Sequence, residues 1–255
     1  MPVTILENVV VNRVMVVVAH PDDAEFGNAG LIASWTDQGV AAAYVLVTNG
    51  AAGSSDKDMT RERLAAIREE EQRRACDILG VKDVAFLGFE DGELEPTLAV
   101  REAVSREIRR FRPDVLIGPD PTVRFALGVY VNHPDHIAVG EVVCRAINPD
   151  ASSGLAFPHL WRDEGLAPHL PQVLLLQSFG EADFFWDITD TIDRKLAALA
   201  CHESQHDDTA GVGGFVREMA KKSGAPIGAE YGEAFRAFRV GASDPSAALV
   251  ESSDV

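Results

Sequence analysis

The sequence predicts an α/β protein with a mostly parallel β-sheet, covered by helices on both faces, in a single domain. Two apolar runs, VMVVVA at 14–19 and VAAAYVLV at 40–47, are typical of strands that are buried on both faces. Segments with helical periodicity separate these runs from further short apolar runs, which is the pattern of a sheet layered with helices. A length of 255 residues suffices for one large domain with a substantial core.

The predicted strands and helices alternate along the chain. The first strand precedes a helix over 26–37, and the second precedes a helix from about Thr60 to Gly80, where glycine is a typical helix stop. The elements predicted after these are a strand at 83–88, a helix with an apolar face at Val100, Val104, Ile108 and Phe111, a strand at 114–118, a helix over 133–147, a strand at 172–179 and a helix marked by Ile192, Leu196 and Leu199. This order predicts right-handed crossover connections.

Two segments, 119–132 and 149–170, are loop-like and contain several prolines. We interpret them as excursions over the carboxyl edge of the sheet and expect them to set the choice of substrate. The domain is predicted to span residues 1–240, and the polar segment 241–255 is expected to be a disordered C-terminal tail.

Charge and composition argue against several classes of partner. A formal net charge of −17 disfavours nucleic acid, because phosphate backbones need Lys and Arg. No apolar stretch approaches the roughly 20 residues of a membrane span. Cys76, Cys144 and Cys201 are far apart and odd in number, and the N-terminal segment lacks the pattern of a signal peptide. We therefore expect a cytoplasmic protein without disulfides.

Four polar residues, HPDD at 20–23, directly follow the first predicted strand. Ligands of open α/β sheets bind beyond the carboxyl ends of the strands, so this turn is a candidate site. Pro21 disfavours helix at His20 and holds the turn. Alone, such a turn is more often a polar loop than a ligand site. No G-x-G-x-x-G pattern follows the strand, and a dinucleotide site is therefore poorly supported.

A second polar cluster, HPDH at 133–136, opens the helix predicted over 133–147. Pro134 suits the first helical turn, and Asn132 is a candidate cap. His133 and His136 are three positions apart and therefore lie on one face of the helix. His136 also shares its face with apolar residues further along, so we expect it to point towards the sheet. Alone, this cluster is equally explained as an N-capped helix with a satisfied histidine.

Together the two clusters could supply a metal centre. Imidazole nitrogens and carboxylate oxygens are good zinc ligands, and a catalytic zinc typically uses three protein ligands and keeps one position for water. Two histidines and one aspartate can be drawn from His20, Asp23 and His136.

The remaining polar residues of the two clusters, Asp22, His133 and Asp135, suit catalytic roles. A carboxylate beside a metal-bound water can take its proton, and a nearby imidazolium can donate a proton or stabilise an oxyanion. Asp135 could orient either partner.

These motifs resemble those of the PIG-L or LmbE-like family of zinc-dependent N-deacetylases, which includes the N-acetylglucosaminyl deacetylases and the deacetylases of the mycothiol and bacillithiol pathways. The resemblance covers most of residues 12–205. It is carried by AHPDDAE at 19–25 and HPDH at 133–136, with support from TNG at 48–50, Arg68-x-x-Glu71, LGV at 79–81, DGEL at 91–94 and the segment from Lys195 to CHESQ at 201–205.

The resemblance implies a Rossmann-like fold, a Zn²⁺ cofactor or another divalent metal, and a small amino-sugar substrate. It implies that His20, Asp23 and His136 bind the metal and that Asp22 is the general base. His133 would be the electrophilic or acid residue, held with help from Asp135. Members of the family are often oligomeric, so a homo-oligomer is expected.

Three further residues are candidates for substrate binding. Arg68 lies on the core-facing stripe of its helix, where a charge needs a partner or a ligand. The resemblance suggests that it reaches the sugar, and a buried pair with Glu71 is the alternative. Asp91 would accept hydrogen bonds from sugar hydroxyls, or it belongs to an ordinary Asp-Gly turn. His202, on the helix face of Lys195, approaches the site or simply packs.

One position departs from the pattern of some relatives, which place a tyrosine two residues before the first histidine of HPDH. Val131 stands there in this chain, and Tyr130 is one residue away. We therefore leave Tyr130 out of the catalytic set.

The function that the sequence predicts is hydrolysis of the N-acetyl group of an N-acetylglucosamine-type sugar or its conjugate. Two alternatives stay open. Two histidines and one carboxylate also form the site of non-haem iron enzymes. A non-catalytic sugar-binding relative would keep the same fold.

Overall fold

A seven-stranded sheet forms the centre of the protein in the computed structural model, which describes residues 9–126, 128–178, 181–206 and 208–240. Its strands are β1 (Arg13–Val18), β2 (Ala41–Thr48), β3 (Asp83–Phe89), β4 (Val115–Pro119), β7 (Val173–Gln177), β8 (Phe184–Asp187) and β9 (Gly232–Arg239). Between β4 and β7 a small hairpin pairs β5 (Phe125–Ala126) with β6 (Tyr130–Val131). The tail expected at 241–255 and residues 1–8 lie outside the described residues.

Eight α-helices connect these strands within the described ranges. They are α1 (Asp23–Gly27), α2 (Ala29–Asp37), α3 (Arg61–Leu79), α4 (Leu98–Phe111), α5 (Pro134–Arg145), α6 (Pro158–Arg162), α7 (Ile192–Leu199) and α8 (Thr209–Gly224). A kinked segment, Ala146–Asp150, in which Asn148 has a non-helical φ of −147° and ψ of 107°, follows α5, and a 3₁₀ turn, Ala225–Ile227, follows α8.

The strand order places a topological switch point in the middle of the sheet. The order is β3-β2-β1-β4-β7-β9-β8, and the pairs from β3 to β7 are all parallel. The chain therefore leaves β1 towards one side of the sheet and later returns to form β4 on the other side. In a sheet of this type a crevice opens at the carboxyl ends of the two central strands.

The core lies on both faces of the sheet, because alternate residues of each central strand point to opposite sides. In β1, Val14 and Val16 pack with α2, α3 and α7, whereas Met15 and Val17 pack with α4 and α5. All four of these side chains are fully buried. The prediction of a mostly parallel sheet covered on both faces, in one domain, is thereby confirmed.

Several elements differ from the predicted ones. The first predicted helix is broken at Asn28 into α1 and α2, and α5 begins at Pro134 with His133 as its N-cap. The sequence did not predict β8, α8 or β9. Strand β9 lies between β7 and β8 and pairs antiparallel with both, so β8 is the edge strand on this side of the sheet. Within the described residues, no helix is long and apolar enough to cross a membrane.

Candidate active site

The two polar clusters meet at the switch point. The HPDD turn follows β1, and HPDH begins α5, which is the helix after β4. Helix α5 lies very close to the end of β4 because residue 140 is glycine. A Cβ added at Gly140 would lie 2.6 Å from the carbonyl oxygen of Pro119. This close approach brings His136, one turn earlier on α5, to the carboxyl end of β1.

Three of the predicted side chains form a group that could hold a metal ion. The His20 Nδ1 and His136 Nε2 atoms are 3.3 Å apart, and the Asp23 carboxylate lies 3.5 Å from the first and 3.0 Å from the second. Ligand bonds of about 2.0–2.1 Å at tetrahedral angles separate two nitrogens by about 3.3 Å. The spacing of these donors therefore fits a tetrahedral zinc ion with a fourth position free for water.

The outer nitrogen of each imidazole has its own partner. His20 Nε2 lies 3.1 Å from Asp91 Oδ1 and 3.3 Å from Asp135 Oδ2, and His136 Nδ1 lies 3.0 Å from Asn132 Oδ1. Imidazoles that bind a metal commonly donate their other N–H to a carboxylate or carbonyl, which fixes the orientation of the ring. These partners hold both rings so that His20 Nδ1 and His136 Nε2 face each other and the carboxylate of Asp23.

The electrostatic field of the group favours a cation. Burial alone would lower the pKa of His20, but the carboxylates of Asp135, Asp23 and Asp91 raise it to about 12. Burial opposes protonation of His136 as well, yet Asp23 raises the pKa of that imidazole. Burial raises the pKa of Asp23, and His136 and His20 outweigh this effect and lower it well below its usual range. A divalent ion would take over the role of these positive charges.

A second group among the described residues also has ligand spacing: His20, Asp91, His133 and Asp135. Its two carboxylates already accept hydrogen bonds from backbone N–H groups. Asp91 Oδ2 accepts from the Ala52 N–H at 2.8 Å, and Asp135 accepts from the N–H groups of Gly92 and Leu94 at 2.8 and 3.3 Å. Carboxylates that are fixed in this way suit the orientation of His20 better than direct binding of an ion.

Asp22 lies at the edge of the same group in a strained backbone conformation. Its φ is +102°, which is rare for a residue with a side chain and costs about 1–3 kcal/mol. The conformation places the side chain among those that line the cavity. Burial raises the pKa of Asp22 to about 7, although Arg68, 3.3 Å from its Oδ2, acts in the opposite direction.

His133 is the N-cap of α5, and this fixes its tautomer. Its Nδ1 accepts the backbone N–H of Asp135 at 3.2 Å, so the proton of the neutral ring is on Nε2. Burial, followed by the charge on His20, lowers the pKa of His133. A neutral imidazole that lines the cavity can donate a hydrogen bond from Nε2 to an oxygen atom of a ligand.

The carboxylate of Asp135 contacts His20 rather than His133. Its Oδ1 is 3.9 Å from His133 Nδ1, beyond hydrogen-bond distance, whereas its Oδ2 is 3.3 Å from His20 Nε2. The described contact between Asp135 and His133 is the hydrogen bond from the backbone N–H of Asp135.

Arg68 lines the cavity, and it does not pair with Glu71. Its guanidinium donates to the carbonyl oxygens of Gly50 and Pro21 and lies beside Asp22. Glu71 instead accepts two hydrogen bonds from Ser204. Gly50, with φ of +64°, leaves the space for the guanidinium, because a Cβ there would lie 2.8 Å from Arg68 Nε.

The other two candidates for substrate binding differ in their placement. Asp91 lines the cavity, but its carboxylate is occupied by His20 and Ala52, and burial is outweighed by these partners so that its pKa falls to about 2. His202 is fully buried and lies 3.2 Å from Glu25. It does not line the cavity, so its position gives no support to a contact with substrate.

A cavity of about 360 Å³ opens over the metal-binding group. It is lined by His20, Asp22, Asp23, Ala52, Gly53, Arg68, Asp91, Tyr130, Val131, His133 and His136.

Two residues near the cavity are absent from the predicted set. Tyr130 lines the cavity, and its hydroxyl lies 3.0 Å from Asn132 Oδ1. His206, 3.9 Å from Asp22 Oδ2, was not predicted at all, since it follows the last motif by one residue. Of the two long loops, 119–132 contributes to this lining and 149–170 does not.

Comparison with known proteins finds a matching family and similar deacetylases. The family model described as GlcNAc-PI de-N-acetylase (PIG-L) matches residues 15–147. Diacetylchitobiose deacetylase of Thermococcus kodakarensis is 33% identical over 231 residues, which cover 89% of this chain and 83% of that protein.

Two solved structures share the fold. That of N,N'-diacetylchitobiose deacetylase from Pyrococcus horikoshii, complexed with its inhibitor MPG, has a TM-score of 0.85 at 30% identity and covers 94% of this chain and 87% of that chain. That of GalB, the 4-carboxy-2-hydroxymuconate hydratase from Pseudomonas putida KT2440, has a TM-score of 0.75 at 21% identity and covers 91% and 98%. The second likeness shows the fold alone. The family match and the identity with the deacetylases confirm the resemblance seen in the motifs: the chain belongs to the PIG-L family of de-N-acetylases.

Proposed function

We propose that the protein is a zinc-dependent hydrolase that removes the N-acetyl group from an N-acetylglucosamine-type amino sugar or its conjugate. The observation that carries this proposal is the group formed by His20, Asp23 and His136, with 3.3 Å between the two ring nitrogens, on the wall of an open cavity. The related deacetylases are named for diacetylchitobiose and GlcNAc-PI, and both names support the N-acetylglucosamine class.

The ligand set fits zinc, because two imidazoles and a carboxylate in tetrahedral spacing are a common catalytic zinc site. A zinc ion bound there would polarise the amide carbonyl and lower the pKa of a water molecule. The same ligands also suit non-haem iron, and the metal donors alone do not decide between the two. The carboxylate of Asp22 beside the group favours hydrolysis, since hydrolysis needs a base for the attacking water.

The residues of this chain then have distinct roles in amide hydrolysis. Asp22 accepts a proton from the attacking water as the new C–O bond forms. The Nε2–H of neutral His133 donates a hydrogen bond to the carbonyl oxygen, where negative charge develops. The C–N bond breaks as the amine nitrogen receives the proton that Asp22 holds. The products are acetate and a free amino sugar.

The residues around this set orient it. Asp91 and Asp135 fix His20, and Asn132 fixes His136. Arg68 stabilises the charged form of Asp22 and is well placed for polar groups of the sugar. A cytoplasmic location and a homo-oligomeric state stay predictions of the sequence.

The test combines metal analysis of the purified protein with a free-amine assay. The assay panel contains N-acetylglucosamine, N,N'-diacetylchitobiose and N-acetylglucosaminyl conjugates. We expect about one zinc per chain and release of amine from at least one of these sugars. Turnover that depends strictly on iron and oxygen would favour the iron enzyme instead. Metal-loaded protein that releases no amine from any sugar would favour a non-catalytic relative.

The variant Asp22→Ala tests the division between base and ligands. We expect kcat to fall by about 10²–10⁴-fold, the usual effect of losing an acid–base residue, while the metal content stays unchanged. The exposed Asp77 provides a control, and Asp77→Ala should leave both quantities at wild-type values. Loss of metal from Asp22→Ala would make Asp22 a ligand and would overturn the assignment.

A further inference from the structure

A buried polar cluster lies behind the HPDD turn, on the side away from the cavity. We call Glu25, Gln72 and His202 the positioning cluster. All three residues are 0% exposed, and none of them lines the cavity or takes part in the chemistry proposed above. Burial of three polar side chains is costly unless they are hydrogen-bonded, so their partners are informative.

The positioning cluster ends on the backbone of Asp22. Gln72 Oε1 accepts the Asp22 N–H at 3.2 Å, and Gln72 Nε2 donates to Glu25 Oε1 at 3.0 Å. The other oxygen of Glu25, Oε2, lies 3.2 Å from His202 Nε2. A continuous path of hydrogen bonds thus leads from His202 through Glu25 and Gln72 to the peptide before Asp22.

The same peptide is held at its other side by Arg68. Arg68 and Gln72 are four positions apart on α3 and therefore share one face of that helix. Arg68 donates to the Pro21 carbonyl oxygen, and Gln72 accepts the Asp22 N–H. These two groups belong to one peptide unit, so α3 fixes the plane of the Pro21–Asp22 peptide from both sides.

These two hydrogen bonds from α3 hold Asp22 in its strained conformation. A φ of +102° at a residue other than glycine persists only where the surroundings over-determine it. Rotation of the Pro21–Asp22 peptide would relax the strain and would swing the Asp22 carboxylate out of its place in the cavity wall. Small displacements of a catalytic group of this kind can cost about 10²-fold in rate.

We propose that Gln72, fixed by Glu25 and His202, is a positioning residue that holds the Pro21–Asp22 peptide so that the Asp22 carboxylate faces the reacting water. This inference rests on the proposed role of Asp22 as base. A purely structural role is the competing explanation, in which the cluster only satisfies its own hydrogen bonds. The two explanations predict different values of kcat and different positions of Asp22 in the variants. They also differ in whether a second substitution restores kcat.

A donor–acceptor exchange between positions 25 and 72 separates these explanations. The variant Gln72→Glu keeps an acceptor for the Asp22 N–H but removes the donor to Glu25 and places two carboxylates in contact. Adding Glu25→Gln restores the path, because the new amide at 25 can donate to the carboxylate at 72 and accept from His202. The variant Gln72→Met has similar size and suits a buried position, but it lacks both hydrogen bonds.

The measurements are kcat and KM on an acetylated sugar that the wild type turns over, metal content, and crystal structures of the metal-loaded variants. Gln72→Met should lower kcat by about 10–100-fold with KM within about threefold and full metal content. Its crystal structure should show Asp22 moved away from φ near +100°. The double variant Gln72→Glu with Glu25→Gln should recover kcat to within about fivefold of wild type. The exposed Glu70 serves as a control, and Glu70→Gln should leave every readout unchanged.

The proposal is overturned if Gln72→Met keeps kcat within twofold of wild type, or if its Asp22 stays in place in the crystal. It is equally overturned if kcat is lost only in proportion to bound metal, or if the double variant recovers folding without recovering kcat. Should Gln72→Glu alone not fold, Gln72→Met and the double variant still decide. If the wild type deacetylates no sugar, the proposed function fails, whereas the crystal structures still test the positioning of Asp22.

Discussion

Arg109 is the buried cation whose removal should affect stability most clearly. It lies on α4 and is 1% exposed. Its guanidinium donates only to backbone carbonyls among the described contacts, and these belong to one segment that crosses α4. The acceptors are Asp150, Ser153 and Ala156 at 2.8 Å, Ala151 at 3.1 Å and Phe157 at 3.4 Å. Burial lowers the pKa of Arg109, against a smaller raising effect of Asp150.

The variant Arg109→Met keeps most of the aliphatic part of the side chain and removes every donor. A hydrogen bond from a charged group is worth about 1.5–3 kcal/mol net. Four acceptors lie within 3.1 Å, but Asp150, Ser153 and Ala156 share the two hydrogens of Nη2, so these contacts amount to about three full bonds. Their simple sum overstates the loss, because the variant also avoids the desolvation of a buried guanidinium, which costs several kcal/mol. We therefore expect a loss of about 3–5 kcal/mol, a large part of the roughly 5–15 kcal/mol that stabilises a typical domain.

The neighbouring Arg110 is a matched control on the same helix. Its side chain is 41% exposed and pairs with Asp83 and Glu107. Exposed ion pairs contribute about 0–1 kcal/mol, so Arg110→Met should cost less than about 1 kcal/mol.

Urea unfolding followed by circular dichroism measures both losses. At a slope of about 3 kcal/mol per molar, Arg109→Met should lower the midpoint by about 1–2 M. The segment 150–157 does not line the cavity, so kcat of the folded variant should equal that of the wild type. The reasoning is refuted if the two arginine variants lose the same free energy, or if Arg109→Met folds stably with a changed kcat.

Three further predictions concern the site and its surroundings. His133→Ala should lower kcat by about 10²–10⁴-fold with bound metal retained, and loss of metal would instead make His133 a ligand. Chelation of the metal should lower Tm by about 5–10 °C, an effect that His136→Ala should abolish, and an unchanged Tm in the wild type would contradict metal binding. Burial raises the pKa of Asp120, but hydrogen bonds from Thr122 and Arg236 outweigh it and lower the pKa. The ionised form of Asp120 therefore stabilises the fold above its unfolded pKa of about 3.9, and this contribution is lost as the pH falls through the lower folded value. Wild type should exceed Asp120→Asn in urea stability at pH 6, and a gap that persists undiminished at pH 3 would contradict this.

The central part of the fold was predictable because its signals are local. Strands such as β1 and β2 are apolar runs rich in Val and Ala, and helices carry apolar faces or end at glycines such as Gly80. Strand β9 was missed because its place depends on pairing with β7, more than fifty positions earlier in the chain. No local pattern of GEAFRAFR reveals that partner.

The convergence of the two motifs at one place was also predictable, because both follow central strands of a parallel sheet. The direction of individual side chains was not. Asp135 was expected beside His133, two positions away, but the first turn of α5 directs its carboxylate to His20. The prediction for His202 extends the helical face of Lys195, yet α7 ends at Leu199 and His202 is buried beyond the end of that helix. A helical periodicity carries no information beyond the end of its helix.

Asp22 combines two demands that oppose one another. A φ of +102° is easy for glycine and difficult for aspartate, and burial further disfavours a carboxylate at this place. The residue that would make this turn most stable is therefore not the residue that the proposed mechanism requires. Variants selected for heat resistance alone should accumulate glycine at position 22 and lose the proposed base.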